Sequence, residues 1–257
     1  GTLLDSSGRT INGSWLRLSW VQGSWSGGWF IDGKLYLVEA LSKLLPLLPQ
    51  SSLNEAHELL SLNNNASVVF SMEDLHLSIL FDPHPVQAQQ SINKVNRTNT
   101  ERFLHHLRQT TAGTTVLQQL DLTIISDTQF SAINGAQTSA NVAARINFTD
   151  GIYSNQLSVT LNLLHHEILS NNGPLTSGDI FVLLQEQFAP YMRTGPGSNL
   201  PRGGIAHLFT WRNFSSGFVG LAFIGVLCST NFGYGVDQDF NGNTLSALVF
   251  AHELGHN

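Results

Sequence analysis

The sequence predicts an α/β (α+β) domain built on a mixed sheet and closed by a buried helix, with a small β-rich unit ahead of it. Three observations carry this expectation. An alternating, Trp- and Gly-rich stretch up to about residue 40 reads as antiparallel strands. Strand-like and helix-like patterns alternate after Gly113, and the last stretch is a helix apolar nearly all round.

In order, Ser14–Trp20 alternates apolar and polar residues, and Asp32-Gly33 between two apolar runs signals a tight turn, so Trp29–Glu39 is read as a β-hairpin. Trp15, Trp20, Trp25 and Trp29 are read as core aromatics. Residues 50–64 are polar and expected to be loop. Val68–Met72 and Leu75–Phe81 read as further strands. Asp82-Pro83-His84-Pro85 breaks structure, and residues 86–100, rich in Gln, Asn and Thr, are the linker candidate. Glu101–Arg108 reads as a short helix with His105 and His106 on its surface. Beyond Gly113 the expected order is strand Leu120–Ile125, helix Thr138–Ser154, strand Leu157–Leu164, helix Ser177–Gln187 capped by Ser177, and strands Gly203–Trp211 and Val219–Ile224.

Composition bounds the function. The chain of 257 residues suffices for one large domain or two smaller ones. A net charge of -6 with 12% charged residues leaves no basic footprint, so nucleic acid is not an expected partner. No apolar run is long enough to cross a bilayer; Leu44-Leu45-Pro46-Leu47-Leu48-Pro49 is short and broken by proline. The first residue is Gly, and the expectation is a fragment cut at both ends from a longer product. Cys228, the only cysteine, is either a buried small hydrophobe or half of a bridge.

The closing stretch Leu245–Asn257 contains His252-Glu253-x-x-His256. Positions i and i+4 share a helix face, so His252 and His256 can present two imidazoles to one metal ion, with Glu253 beside them to take a proton from water. Neutral imidazole suits zinc. The rival reading is a core histidine pair. His57-Glu58 and His166-Glu167 begin the same way and lack the second His. Asn241-Gly242-Asn243-Thr244 reads as the loop that caps this helix, and polar side chains inside so apolar a helix need partners. Adjacent strand residues face opposite ways, which disfavours His165-His166 as joint ligands. Asp237-Gln-Asp239-Phe-Asn241-Gly242 opens like a calcium loop, but Leu248 stands where the bidentate acid belongs; a simple turn is expected there and no calcium.

With Gly225-Val-Leu-Cys228-Ser ahead of it, His252-Glu-Leu-Gly-His-Asn257 resembles the reprolysin (adamalysin) branch of the metzincin zinc endopeptidases, over roughly residues 115–257. The resemblance implies a mixed, mostly parallel five-stranded sheet with one antiparallel edge strand, matched by Val219–Cys228. Substrate peptide would pair with that edge, which makes Val219, Gly220, Leu221 and Ala222 its candidate binding residues. It implies one catalytic Zn2+ held by His252 and His256, with a third His expected beyond residue 257 in a Gly-x-x-His continuation. It further implies Glu253 as general base, peptide substrates, secretion, and a bridge from Cys228 to a later cysteine. Gly28–Glu39 also resembles a hairpin passage of reprolysin pro-regions. Residues 1–100 would then be an inhibitory β-rich pro-region and linker, and residues 101–257 the N-terminal part of a truncated catalytic domain, inactive alone. No cysteine precedes Cys228 to silence zinc; Asp82 or His84 would have to substitute. Two rivals stand: a zincin of another clan with a distal Glu ligand, and a non-catalytic adhesion or binding protein. The intact Glu253 argues against the second.

Overall fold

The alternation up to residue 40 does produce strands. The computed structural model describes residues 1–72, 117–240 and 242–257. The expected strand at Leu75–Phe81, the linker at 86–100 and the helix at Glu101–Arg108 lie outside the described residues. Strands β1 (Trp15–Val21), β2 (Ser24–Ile31), β3 (Lys34–Ala40) and β4 (Ser67–Ser71) form an antiparallel sheet in sequence order. The β2–β3 turn is the one expected: Asp32 and Gly33 have φ of 50° and 78°, the left-handed pair that matches strand twist. Helix α1 (Leu41–Leu44) follows β3 directly.

Two expectations for this unit fail. Residues 53–62 form helix α2 (Leu53–Leu62) rather than loop. Its good helix formers outweigh its polarity, and Ala56 is its buried contact. Trp15 is buried, but Trp20 and Trp25 are 59% and 45% exposed and pack edge-on against each other across the β1–β2 hairpin. Period-2 alternation puts them on the face of the sheet opposite Trp15, where no described residue buries them.

The second unit is a five-stranded sheet in the order β6-β5-β7-β9-β8. Its strands are β5 (Gln118–Ser126), β6 (Val159–Ile168), β7 (Ile205–Thr210), β8 (Gly220–Ala222) and β9 (Tyr234–Gln238). The pairs β5–β6, β5–β7 and β7–β9 are parallel, and only the edge strand β8 runs antiparallel, against β9. The expected mixed, mostly parallel sheet is thus present. Strand β9 was not anticipated, because Asp237 looked like part of a turn; it is 1% exposed in the strand, with its Oδ2 2.6 Å from His207 Nδ1.

Helices α3 (Thr128–Asn134) and α4 (Thr138–Gln156) follow β5. Asp127 caps α3 by accepting from the Phe130 N–H at 2.8 Å. Helix α5 comprises an α turn (Ile180–Val182), a π segment (Leu183–Phe188) and an α segment (Ala189–Arg193). It starts later than expected and its cap is Asp179, not Ser177. The π widening sits directly ahead of Pro190, which has no N–H to continue the regular ladder. The final helix, α6, is Asn243–His256.

Alternation along β5 and β7 sorts their side chains to two faces. Leu122, Ile124, Ile205 and Phe209 pack with Val142, Ile146 and Tyr153 of α4 and Phe250 and Leu254 of α6. Ile125, Ala206 and Leu208 pack with Leu183, Leu184 and Phe188 of α5 on the other face. A third cluster joins the units: Trp15 and Leu37 of the N-terminal sheet meet Phe148 of α4 and Leu245 and Ala247 of α6. Two glycines permit that approach. A Cβ on Gly151 of α4 would lie 2.9 Å from the Trp15 ring, and one on Gly28 would lie 3.0 Å from Phe148. Arg17 and Asp150 add an ion pair of 3.0 Å across the same junction.

Candidate metal centre

Helix α6 is apolar on most sides because it is enclosed on most sides. The Tyr153 hydroxyl of α4 donates to the Ala251 carbonyl at 2.8 Å, and the Thr149 hydroxyl to that of Ala247 at 3.2 Å. In its last two turns the helix brings His252 and His256 together, both half-buried. Their Nε2 atoms are 3.1 Å apart and their rings meet at 84°. Two nitrogens about 2.05 Å from one tetrahedral ion sit about 3.3 Å apart, so the pair fits a shared zinc.

Glu253 turns the other way, toward β8, and is 1% exposed. A Cβ on Gly220 would lie 2.5 Å from Glu253 Oε1 and 2.6 Å from its Cγ. The bare backbone of Gly220 is therefore the seat of the carboxylate, which ties the expected base to the expected substrate strand. Val219, Leu221 and Ala222 are buried beside it. Val219 accepts from the Gln238 N–H at 2.8 Å, and Phe223 donates to Tyr234 at 3.3 Å. Antiparallel ladders alternate, so Leu221 faces inward to β9 while the main-chain groups of Gly220 and Ala222 face outward.

Both ends of α6 are fastened, by residues the sequence did not single out. At the C-terminal end, Gly225 donates to the His256 carbonyl at 2.7 Å and Val226 and Leu227 to that of Asn257 at 2.6 and 2.7 Å. The Asn257 amide donates to the Phe223 carbonyl at 2.7 Å, which turns its Oδ1 toward His207 Nε2 at 2.9 Å. His207 is fully buried, its Nδ1 is 2.6 Å from Asp237 Oδ2, and its ring fills the space above Gly235. A lone His in a wholly buried apolar strand was the available signal for this anchor.

At the N-terminal end no side-chain cap from the expected loop is found among the described residues. Gly242, with φ of 106°, precedes the helix and offers no side chain. Glu39, at the end of β3, takes the role: its Oε2 accepts from the Thr244 N–H at 2.7 Å, and its Oε1 from that of Ala40 at 3.0 Å. The Thr244 hydroxyl donates to the Val38 carbonyl at 2.7 Å and accepts from the Gly27 N–H at 2.8 Å. Burial pushes the Glu39 carboxyl up to about 7; the N–H bonds from Thr244 and Ala40 oppose this and the Asp239 charge adds to it.

The other histidines stand elsewhere. His165 and His166 lie on β6, the opposite edge of the sheet from β8. His166 is 2.8 Å from the Ser126 hydroxyl, and burial, with His165 next to it, holds its imidazole below the usual range. Asp237 and Asp239 of the calcium-like stretch are engaged, with His207 and with Arg145 at 2.6 Å. Among the described residues no group of three or more His, Cys, Asp or Glu side chains is placed to hold a metal.

Residues 139–257 match the family model described as metallo-peptidase family M12B, reprolysin-like. That span carries β6 to β9 and the whole of α6. Over that span the chain is similar to reprolysin-type metalloproteases. The human and mouse proteins named disintegrin and metalloproteinase domain-containing protein 11 are each 31% identical to this chain over 121 residues. Those residues are 47% of this chain and 15% of each relative, so the chain spans a small part of the length of the curated relatives it matches. A solved structure titled "Structure of a chaperone-substrate complex" aligns with 55% of this chain and 23% of its own, at a TM-score of 0.42 and 14% identity, too slight a likeness to bear on the fold.

Proposed function

We propose that the protein is a secreted, zinc-dependent endopeptidase, with residues 1–100 as its pro-region and linker and residues 101–257 as part of its catalytic domain. The observation that carries this reading is the convergence of the His252 and His256 Nε2 atoms at 3.1 Å, one residue from a buried glutamate seated on the sheet edge. His252 and His256 would hold the ion. Zinc there supplies Lewis-acid polarisation of a peptide carbonyl and activation of water. Glu253 accepts the proton of the attacking water and returns it to the leaving amine. The outward main-chain groups of Gly220 and Ala222 pair with the peptide backbone and hold it extended across the site. Catalytic zinc sites use three protein ligands, so a third is proposed outside the described residues, a His in the continuation after residue 257.

The test uses the full protein. Glu253→Gln is expected to keep zinc and lose peptide hydrolysis by several orders of magnitude, whereas His252→Ala loses both. Near-normal turnover by the Glu253→Gln protein with its zinc intact would overturn the assignment.

A further inference from the structure

We propose that Glu39 is a positioning residue for the His252–Glu253–His256 set: it is the N-terminal clamp of the helix that carries them, supplied by the N-terminal sheet. The inference rests on the endopeptidase reading for the importance of those three side chains, but the clamp itself stands on geometry.

A helix begins with N–H groups that have no partner within it, and one buried without a cap is costly. Helix α6 has no side-chain cap of its own. Its start instead meets a carboxylate that is 3% exposed and comes from 205 residues earlier in the chain. Glycine at 242 suits this arrangement twice over. Its φ of 106° is one that other residues rarely adopt, and a Cβ there would lie 2.5 Å from Glu39 Cδ. Thr244 is held three ways, by Glu39, Val38 and Gly27, all from the N-terminal sheet. No apolar packing need explains a carboxylate at this depth; the N–H of Thr244 does.

The two ends of α6 are thus tied to different bodies. The C-terminal end is fixed to the five-stranded sheet through Gly225, Val226 and Asn257. The N-terminal end is bonded to the four-stranded sheet through Glu39, and Asn243 and Ser246 tie the same end to Asn141 and Asp239. Of these ties, the one from Glu39 is the one that reaches a backbone N–H of the first turn. The placement of the helix matters because Glu253 sits against Gly220 with no room for even a methyl group between them. Releasing the Glu39 tie frees the helix to settle differently on the edge strand, which moves the two imidazoles as well.

The experiment uses the full chain without metal, in wild-type form and as Glu39→Ala, Glu39→Gln and Val68→Ala. Val68 lies opposite Glu39 on β4, so its truncation weakens the same sheet without touching the cap. Amide hydrogen exchange is followed at Thr244, Leu122 and Leu208, and the imidazole NMR signals of His252 and His256 are recorded. Glu39→Ala is expected to raise exchange at Thr244 at least tenfold relative to Leu122 and Leu208, and to displace both imidazole signals. Glu39→Gln, which keeps an acceptor oxygen, recovers most of both effects, and Val68→Ala produces neither. Unchanged exchange at Thr244, unmoved imidazole signals, or the same response from Val68→Ala would each overturn the proposal. Should Glu39→Ala fail to fold, Glu39→Asp, which is one methylene shorter and draws the carboxylate away from the Thr244 N–H, carries the same expectations. Zinc content and hydrolysis do not enter these readouts, so a failure of the endopeptidase reading shows itself separately.

Discussion

Replacing Gly220 by alanine tests the seat of Glu253 with one methyl group. Gly220 has an ordinary negative φ, so alanine costs the backbone nothing. The added Cβ would lie 2.5 Å from Glu253 Oε1, 2.6 Å from Cγ and 2.7 Å from Cδ, and each contact must open to an ordinary separation of about 3.4 Å. The carboxylate must therefore retreat by about 0.9 Å. Its neighbour is the end of a flexible side chain rather than backbone, so the strain stays near the low end for overpacking, about 1 kcal/mol, or a fall in Tm of about 2–4 °C. The catalytic cost is far larger. A base displaced by about 1 Å loses on the order of 100-fold in rate. The assay is hydrolysis of an internally quenched peptide by the full protein, with zinc content and Tm measured on the same sample. Gly178→Ala is the control, since a Cβ there meets nothing within 4 Å. Wild-type kcat in Gly220→Ala, with zinc retained, would show that Glu253 is not held where the reaction needs it.

Glu39 also gives the chain a pH signature. Its carboxyl rises from 4.5 to about 7 on burial, so the folded state binds its proton more tightly than the unfolded one. That contribution is complete below pH 4.5 and is lost as pH rises through 7, a fall of about 3 kcal/mol. Asp239 and Lys43 line the cavity beside Glu39, Arg145 pairs with Asp239, and all three remain in place in Glu39→Gln. Urea unfolding of wild type minus Glu39→Gln should therefore show the fall, and a flat difference would refute it. Ala222→Pro removes an outward N–H and is expected to weaken peptide binding more than stability, while Leu221→Pro breaks the β8–β9 ladder and lowers Tm first. Equal losses at both positions would mean that β8 is not an open edge. His207→Ala leaves the Asp237 carboxylate buried without its partner and should cost about 3–5 kcal/mol in urea unfolding. A cost below 1 kcal/mol would show that the anchor is not stabilising.

The parts of this molecule legible in sequence are those with local causes. Asp32-Gly33 dictates its turn, Thr138–Gln156 its helix, and the i, i+4 spacing of His252 and His256 brings their Nε2 atoms together without help from the rest of the chain. What escaped reading depends on partners far apart. Asp237 is a turn residue by composition and a strand residue in a fold that sets His207 against its Oδ2. Asn241–Thr244 resembles a self-sufficient cap, yet the capping carboxylate comes from Glu39, whose place at the end of an apolar strand was the only hint. Trp20 and Trp25 look like core until the sheet's uncovered face is known. Nothing local in Gly220 announces a seat for Glu253.

Four of the five tryptophans lie in β1 and β2, and the fifth, Trp211, directly follows β7 of the second unit. Trp15 is the one that is buried, with its ring against Gly151 and 5.8 Å from the Phe148 ring of α4. The protein therefore carries its own optical gauge. Excitation near the red edge of indole absorbance samples mainly the N-terminal sheet, with four indoles to one, and Trp15 emits from the surface that sheet shares with α4. Were the two to part, Trp15 would pass from an apolar to an aqueous surrounding and its emission would shift to longer wavelength, while Trp20 and Trp25, already in water, would hold the baseline. Separation of the units can thus be timed in a stopped-flow cell, with no label and no substrate.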